Sequence, residues 1–110
     1  MIKPKGYDNI MSFFYDKTIK VYSPKEEADE EFNVETTKGE FKEEFNGNIR
    51  PISKEAILRD FGLDIDASIL ITCKGTKASE NDYLEYNQDV YRVKQVLKYD
   101  THVKVLANGA

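Results

Sequence analysis

The sequence predicts a mainly β fold: a small β-barrel or sandwich of five to six strands, with one short helix inserted at about residues 53–61 and a long mobile loop. Three observations carry that expectation. Short stretches in which apolar and polar residues alternate recur along the chain, turn residues separate them at close intervals, and one stretch alone has helical spacing with a cap at each end. At 110 residues the chain suits one domain, residues 1–110, with a single principal core. Six Phe, seven Tyr and no Trp mean that this core is built from Phe, Tyr, Ile, Val and Leu.

The elements follow in order. Residues 1–15 read as an N-terminal arm: Pro4 and Gly6 discourage regular structure, and Ile10, Met11, Phe13 and Phe14 form an apolar patch suited to clamping a sheet edge. Ile19 and Val21 alternate with Thr18, Lys20 and Tyr22, so a first strand is expected over 17–22, ended by Ser23-Pro24. Residues 23–38 are expected to form an acidic loop, because Glu26, Glu27, Asp29, Glu30 and Glu31 crowd together and repel one another. Phe32 and Val34 alternate at its far side, and Thr37-Lys38-Gly39 supplies a turn.

A second strand is expected from Glu40 to Ile52, with Phe41, Glu43, Phe45, Gly47 and Ile49 on one parity. Gly47 suggests a bulge or bend, and Pro51 ends the ladder. Ser53 is a suitable N-cap, Glu55 favours the positive end of the helix, and Gly62 suits the left-handed residue after it, with Ile57, Leu58 and Phe61 as the apolar stripe. Ile69, Ile71 and Cys73 then share one face of a strand, opposite Ser68, Leu70 and Thr72. A polar loop over 74–81 leads to strands at 83–86, 90–98 and 102–107, with a frayed tail at 108–110. Apolar residues at 90, 93 and 97 also fit a helix, but the β-branched content and flanking turn residues favour a strand.

Composition narrows the function classes. Sixteen basic residues against twenty acidic ones give a net charge of −4, the reverse of what phosphate contacts require, which argues against duplex DNA as the main partner. One cysteine excludes an internal disulfide and leaves no cysteine-based zinc set. No apolar run approaches the ~20 residues of a membrane span, and the N-terminus lacks a signal-peptide core, so a soluble protein made in a cytoplasm is expected.

Nothing in the chain composes an active site or a cofactor site. His102 is the single histidine, and Asp100 two residues before it is ordinary turn spacing without a nucleophile. Cys73 lies on the apolar parity of its strand, as a small core hydrophobe does. The acidic run lacks the spacing and central glycine of an EF-hand loop. Lys74-Gly75-Thr76-Lys77 lacks the upstream glycine and following helix of a phosphate-binding loop. Tyr83, Tyr86, Tyr91 and Tyr99 suit core packing or a protein interface better than base stacking, because Asp82, Glu85 and Asp89 lie among them. No catalytic residue, metal ligand or cofactor is therefore expected; a single-stranded nucleic-acid-binding barrel is the alternative class.

From Phe45 onward the motifs are more specific. Phe45-Asn46-Gly47-Asn48-Ile49-Arg50-Pro51 precedes the helix, Gly62-Leu63-Asp64-Ile65 leads into Ser68–Cys73, and Asn81-Asp82-Tyr83-Leu84-Glu85-Tyr86 is followed by Tyr91-Arg92-Val93 and Val96. This arrangement resembles the head-completion or head–tail joining proteins of tailed bacteriophages and phage-like elements, also called connector or adaptor proteins. The resemblance implies a virion protein of the phage neck, made in the bacterial cytoplasm, with no enzymatic activity. Its partners would be portal or adaptor proteins above and tail-completion or tail-terminator proteins below. It would be monomeric when free, close into a ring on assembly, and let DNA pass through the channel. The family's assembly loop has two candidates here, the acidic Glu26, Glu27, Asp29, Glu30 and Glu31, and the Lys74, Gly75, Thr76 and Lys77 segment as a channel or neighbour contact.

Overall fold

The computed structural model describes residues 15–28 and 30–110. The order is β1 (Lys17–Ala28), β2 (Val34–Pro51), α1 (Lys54–Phe61), β3 (Ile69–Cys73), β4 (Tyr83–Tyr86), β5 (Asp89–Lys98) and β6 (Val103–Gly109). Each strand pairs antiparallel with its neighbours, and the sheet closes on itself as β1-β2-β3-β6-β5-β4. The fold is thus the expected mainly β one with its inserted helix, in the barrel form. The N-terminal arm expected over residues 1–15 lies, apart from Tyr15, outside the described residues.

The barrel interior is filled by the inward parity of each strand: Ile19 and Val21, Phe45, Ile69, Ile71 and Cys73, Leu84, Val93, and Val103, Val105 and Ala107. A second cluster lies outside the barrel wall, where Ile57 of α1 packs on Ala67, Leu70 and Leu106. β3 and β6 are consequently buried on both faces along the helix, which explains their nearly continuous apolar sequence. The caps of α1 are as expected. Ser53 Oγ accepts the Ala56 N–H at 3.1 Å, and Gly62, at φ 68°, donates its N–H to Leu58 O. The apolar stripe is narrower than expected, since Leu58 is 56% exposed and Ile57 carries the contact with half-buried Phe61.

Four local expectations are corrected. The first strand does not end at Ser23-Pro24, and residues 23–38 are not a loop. β1 continues to Ala28 and β2 starts at Val34, with Pro24↔Lys38, Glu26↔Thr36 and Ala28↔Val34 in register. Pro24 is tolerated because β4 stops at Tyr22↔Tyr83 and the β1–β2 register shifts between Tyr22 and Pro24, so its missing N–H breaks no continuous ladder. Gly39 belongs to this irregular step rather than to a turn: a Cβ there would lie 2.7 Å from Ser23 O. Gly47, in contrast, sits in unbroken register. Finally, 108–110 is paired rather than frayed, with Arg92↔Asn108, Tyr91↔Gly109 and the Ala110 N–H on Val90 O at 3.0 Å.

Candidate assembly surface

The acidic segment expected to be a mobile loop is the outer half of a β-hairpin. Beyond Tyr22, β1 has lost β4, and β2 does not meet β3 until Gly47. The hairpin therefore leaves the barrel as a two-stranded arm, and the molecule measures 63 × 32 × 23 Å along its principal axes. A free ribbon of two strands is marginal on its own. This one is rooted by side chains. Ser23 Oγ donates to Glu40 O and accepts the Glu40 N–H, and Tyr83 Oη donates to Thr36 O at 2.8 Å. Lys38 Nζ lies 2.6 Å from Glu85 Oε2 and 4.3 Å from the centroid of the Tyr22 ring. That hydrogen bond draws the Glu85 carboxyl below the usual glutamate range and raises the Lys38 ammonium.

Farther out, Glu26, Glu27, Glu30 and Glu31 are all exposed, as their mutual repulsion predicts; Asp29 lies outside the described residues. Lys25 Nζ pairs with Glu27 at 3.2 Å. At the tip stands a residue whose alternation with Val34 does not make it a core position. Phe32 is 87% exposed and has φ 64°, a left-handed conformation that disfavours bulky side chains. Val34 beside it is exposed too. An aromatic inside an otherwise acidic run, next to an Asn, was the available signal.

The second candidate segment is bound down instead of projecting. Glu43 of β2 accepts from the Thr76 hydroxyl and the Lys77 N–H through one carboxylate oxygen. Ala78 is buried with the barrel core. Asp82, 3% exposed, accepts from the Ser79 N–H and hydroxyl and from Lys42 Nζ at 2.6 Å, while Lys42 also reaches Lys77 O. Sequence reasoning missed Lys42, Glu43 and Asp82, since nothing local marks charges on one strand as partners of a later loop. Lys74 and Gly75 remain exposed. With Tyr15, Asp16, Thr18, Phe45 and Asn46 they line a cleft of about 560 Å³ beside the start of β1.

The remaining sequence candidates have structural partners. Tyr83 is buried, Tyr86 and Tyr91 pack on the barrel core, and Tyr99 stacks on His102 with centroids 4.8 Å apart. His102 Nδ1 lies 2.9 Å from Thr101 Oγ1. Cys73 is fully buried, and loss of solvation pushes its thiol up to about 11. Among the described residues, no group of three or more His, Cys, Asp and Glu is placed to hold a metal ion, and no helix is long and apolar enough to cross a membrane.

No family model matches the chain, and no curated protein matches it. Among solved structures, the chain is similar to protein SF1141 from Shigella flexneri 2a, determined in solution, at 17% identity and a TM-score of 0.58 over 86% of this chain and 91% of that one. At that identity the likeness is one of fold.

Proposed function

We propose that the protein is a structural component of a phage neck, joining the head at its portal to the tail by assembling into a ring that extends the DNA channel. One observation carries the reading. A closed barrel has no free sheet edge, yet this one projects a rooted two-stranded arm to whose outer edges no further strand pairs among the described residues, with an acidic shaft and an aromatic tip. Open edges and exposed aromatics are liabilities in a protein that acts alone and assets in one that docks on neighbours. The sequence resemblance from Phe45 onward supplies the kind of neighbour: portal or adaptor proteins on one side and tail-completion or terminator proteins on the other. The net charge of −4 suits a channel through which DNA slides without phosphate contacts.

The test is co-sedimentation of the purified protein with isolated portal rings and with tail-less, DNA-filled heads. Stoichiometric pelleting is expected for the parent. A variant in which residues 25–37 are replaced by Asn-Gly, joining Pro24 to Lys38 by a tight turn, should keep the circular dichroism of the barrel and lose pelleting. Absence of binding by the parent to both particles overturns the reading.

A further inference from the structure

We propose that Asn108 is a site of spontaneous deamidation, in which the Gly109 nitrogen attacks the Asn108 side chain, and that Arg92 receives the carboxylate so formed. The inference goes beyond the neck reading and does not depend on it. The chain contains two Asn-Gly steps, Asn46-Gly47 and Asn108-Gly109. The glycine of such a step has no side chain to hinder the attack or the backbone rotation that it needs. The fold treats the two steps differently.

Asn46-Gly47 is locked in the barrel wall. Gly47 is paired on both sides, with Lys17 on β1 and Cys73 on β3, and Asn46 Oδ1 accepts the Thr18 hydroxyl at 3.2 Å. Asn108-Gly109 is held on one side only. β3 pairs no farther along β6 than Ala107, whose carbonyl takes the Ser68 N–H. Toward β5, the Ala110 N–H bonds to Val90 O, which makes Val90–Ala110 and Arg92–Asn108 the hydrogen-bonded pairs and Tyr91–Gly109 the non-bonded pair between them. The Gly109 N–H therefore points away from β5 and past the end of β3. Gly109 is exposed, and Asn108 is half-buried on the outward parity.

The chemistry is self-contained. The Gly109 nitrogen bonds to Asn108 Cγ and gives its proton to water, while the Cγ–Nδ2 bond breaks and Nδ2 leaves as ammonia. Water then opens the cyclic imide at either carbonyl to give aspartate or isoaspartate, so the sum consumes water and releases ammonia. The rotation that precedes attack disturbs only the pair at Val90 and Ala110, the end of a ladder, where opening is least costly.

The aspartate arises directly opposite Arg92, with the two Cα atoms roughly 5.5 Å apart as in any such pair. The Arg92 guanidinium lies 5.3 Å from the centroid of the Tyr83 ring, and its Nε is buried with no hydrogen-bond partner among the described residues. Asp82, next to Tyr83, is committed to Lys42 and Ser79. A carboxylate at position 108 is the acceptor that Arg92 lacks, and a charge-assisted bond between them holds the aspartyl form in register.

The test is incubation of the intact protein at mildly alkaline pH, native and in urea, followed by trypsin digestion and mass spectrometry. In the native protein the peptide that starts at Val105 should gain the mass of an amide-to-acid exchange severalfold faster than Glu43–Lys54, which carries Asn46-Gly47. In urea the two rates should converge. Gly109→Ala, whose Cβ meets nothing within 4 Å, should keep the fold and slow the reaction severalfold. Equal rates for the two peptides in the native protein overturn the site. For the receptor, Asn108→Asp should melt higher than the parent, with a gain that shrinks in high salt and vanishes when Arg92→Gln is added. The Arg92 Nε–H resonance should also shift in the Asn108→Asp protein, a readout that needs no Arg92 variant to fold. An unmoved resonance overturns the pairing.

Discussion

Gly47 is the residue of β2 that lies opposite both neighbours, Lys17 on β1 and Cys73 on β3. A Cβ there would stand 3.0 Å from Thr72 O and 3.1 Å from Ile71 Cγ2, so an added methyl group would force the barrel wall to give by a few tenths of an ångström. Gly47→Ala should destabilise the fold by about 1–3 kcal/mol through overpacking, whereas Gly75→Ala, in open space, should change it by less than ~0.5 kcal/mol. Urea titrations of the two variants check the contrast. Cys73 gives a pH prediction at the same scale. Its folded pKa of about 11 lies above the unfolded value, so its contribution is fully present below the unfolded pKa. Ionisation of the unfolded thiol should then erode stability as pH rises from ~8.5 towards that folded value. Denaturation across that window, compared with Cys73→Ala, should show this part of the slope vanish in the variant.

At the scale of elements, two irregularities disguise the strands in the sequence. In β5 the register shifts between Val93 and Gln95, leaving Lys94 as an extra residue. Tyr91, Val93 and Val96 all face the barrel core as a result, and their spacing mixes strand and helix periods. The apolar positions that also fitted a helix reflect this bulge. In α1 the reading of the stripe can be tested by paired truncations. Ile57→Ala should cost about 2–5 kcal/mol, because the side chain is fully buried beneath the helix. Leu58→Ala should stay within ~0.5 kcal/mol in the same thermal or urea assay.

For the whole molecule, the narrowest join is where the barrel closes. β1 and β4 share three residue pairs, Lys20↔Glu85, Val21↔Leu84 and Tyr22↔Tyr83, against five between β3 and β6. Local opening starts where the fewest contacts must break. Native-state hydrogen exchange should therefore show amides paired across β1–β4 opening at lower free energy than those across β3–β6. Equal protection at the two joins would mean that the barrel opens as one unit.

What the sequence determined by itself was local: the parity of β3, the two caps of α1 and the burial of Cys73, whereas pairing with β3 runs past Pro51 to the Ile52 N–H on Ser68 O. Each depends on residues within a few positions of one another, where side-chain periodicity and backbone preference act directly. The acidic character of 26–31 was equally legible, but its conformation was not. Whether repelling carboxylates form a loop or the edge of a ribbon depends on anchors such as Lys38 to Glu85 and Tyr83 to Thr36, each separated by 47 residues. The fastening of Thr76 and Lys77 to Glu43 and the meeting of β1 with β4 were likewise decided by the tertiary structure. Pairing brings together groups that no local pattern links, and only the closed barrel specifies which distant residues meet.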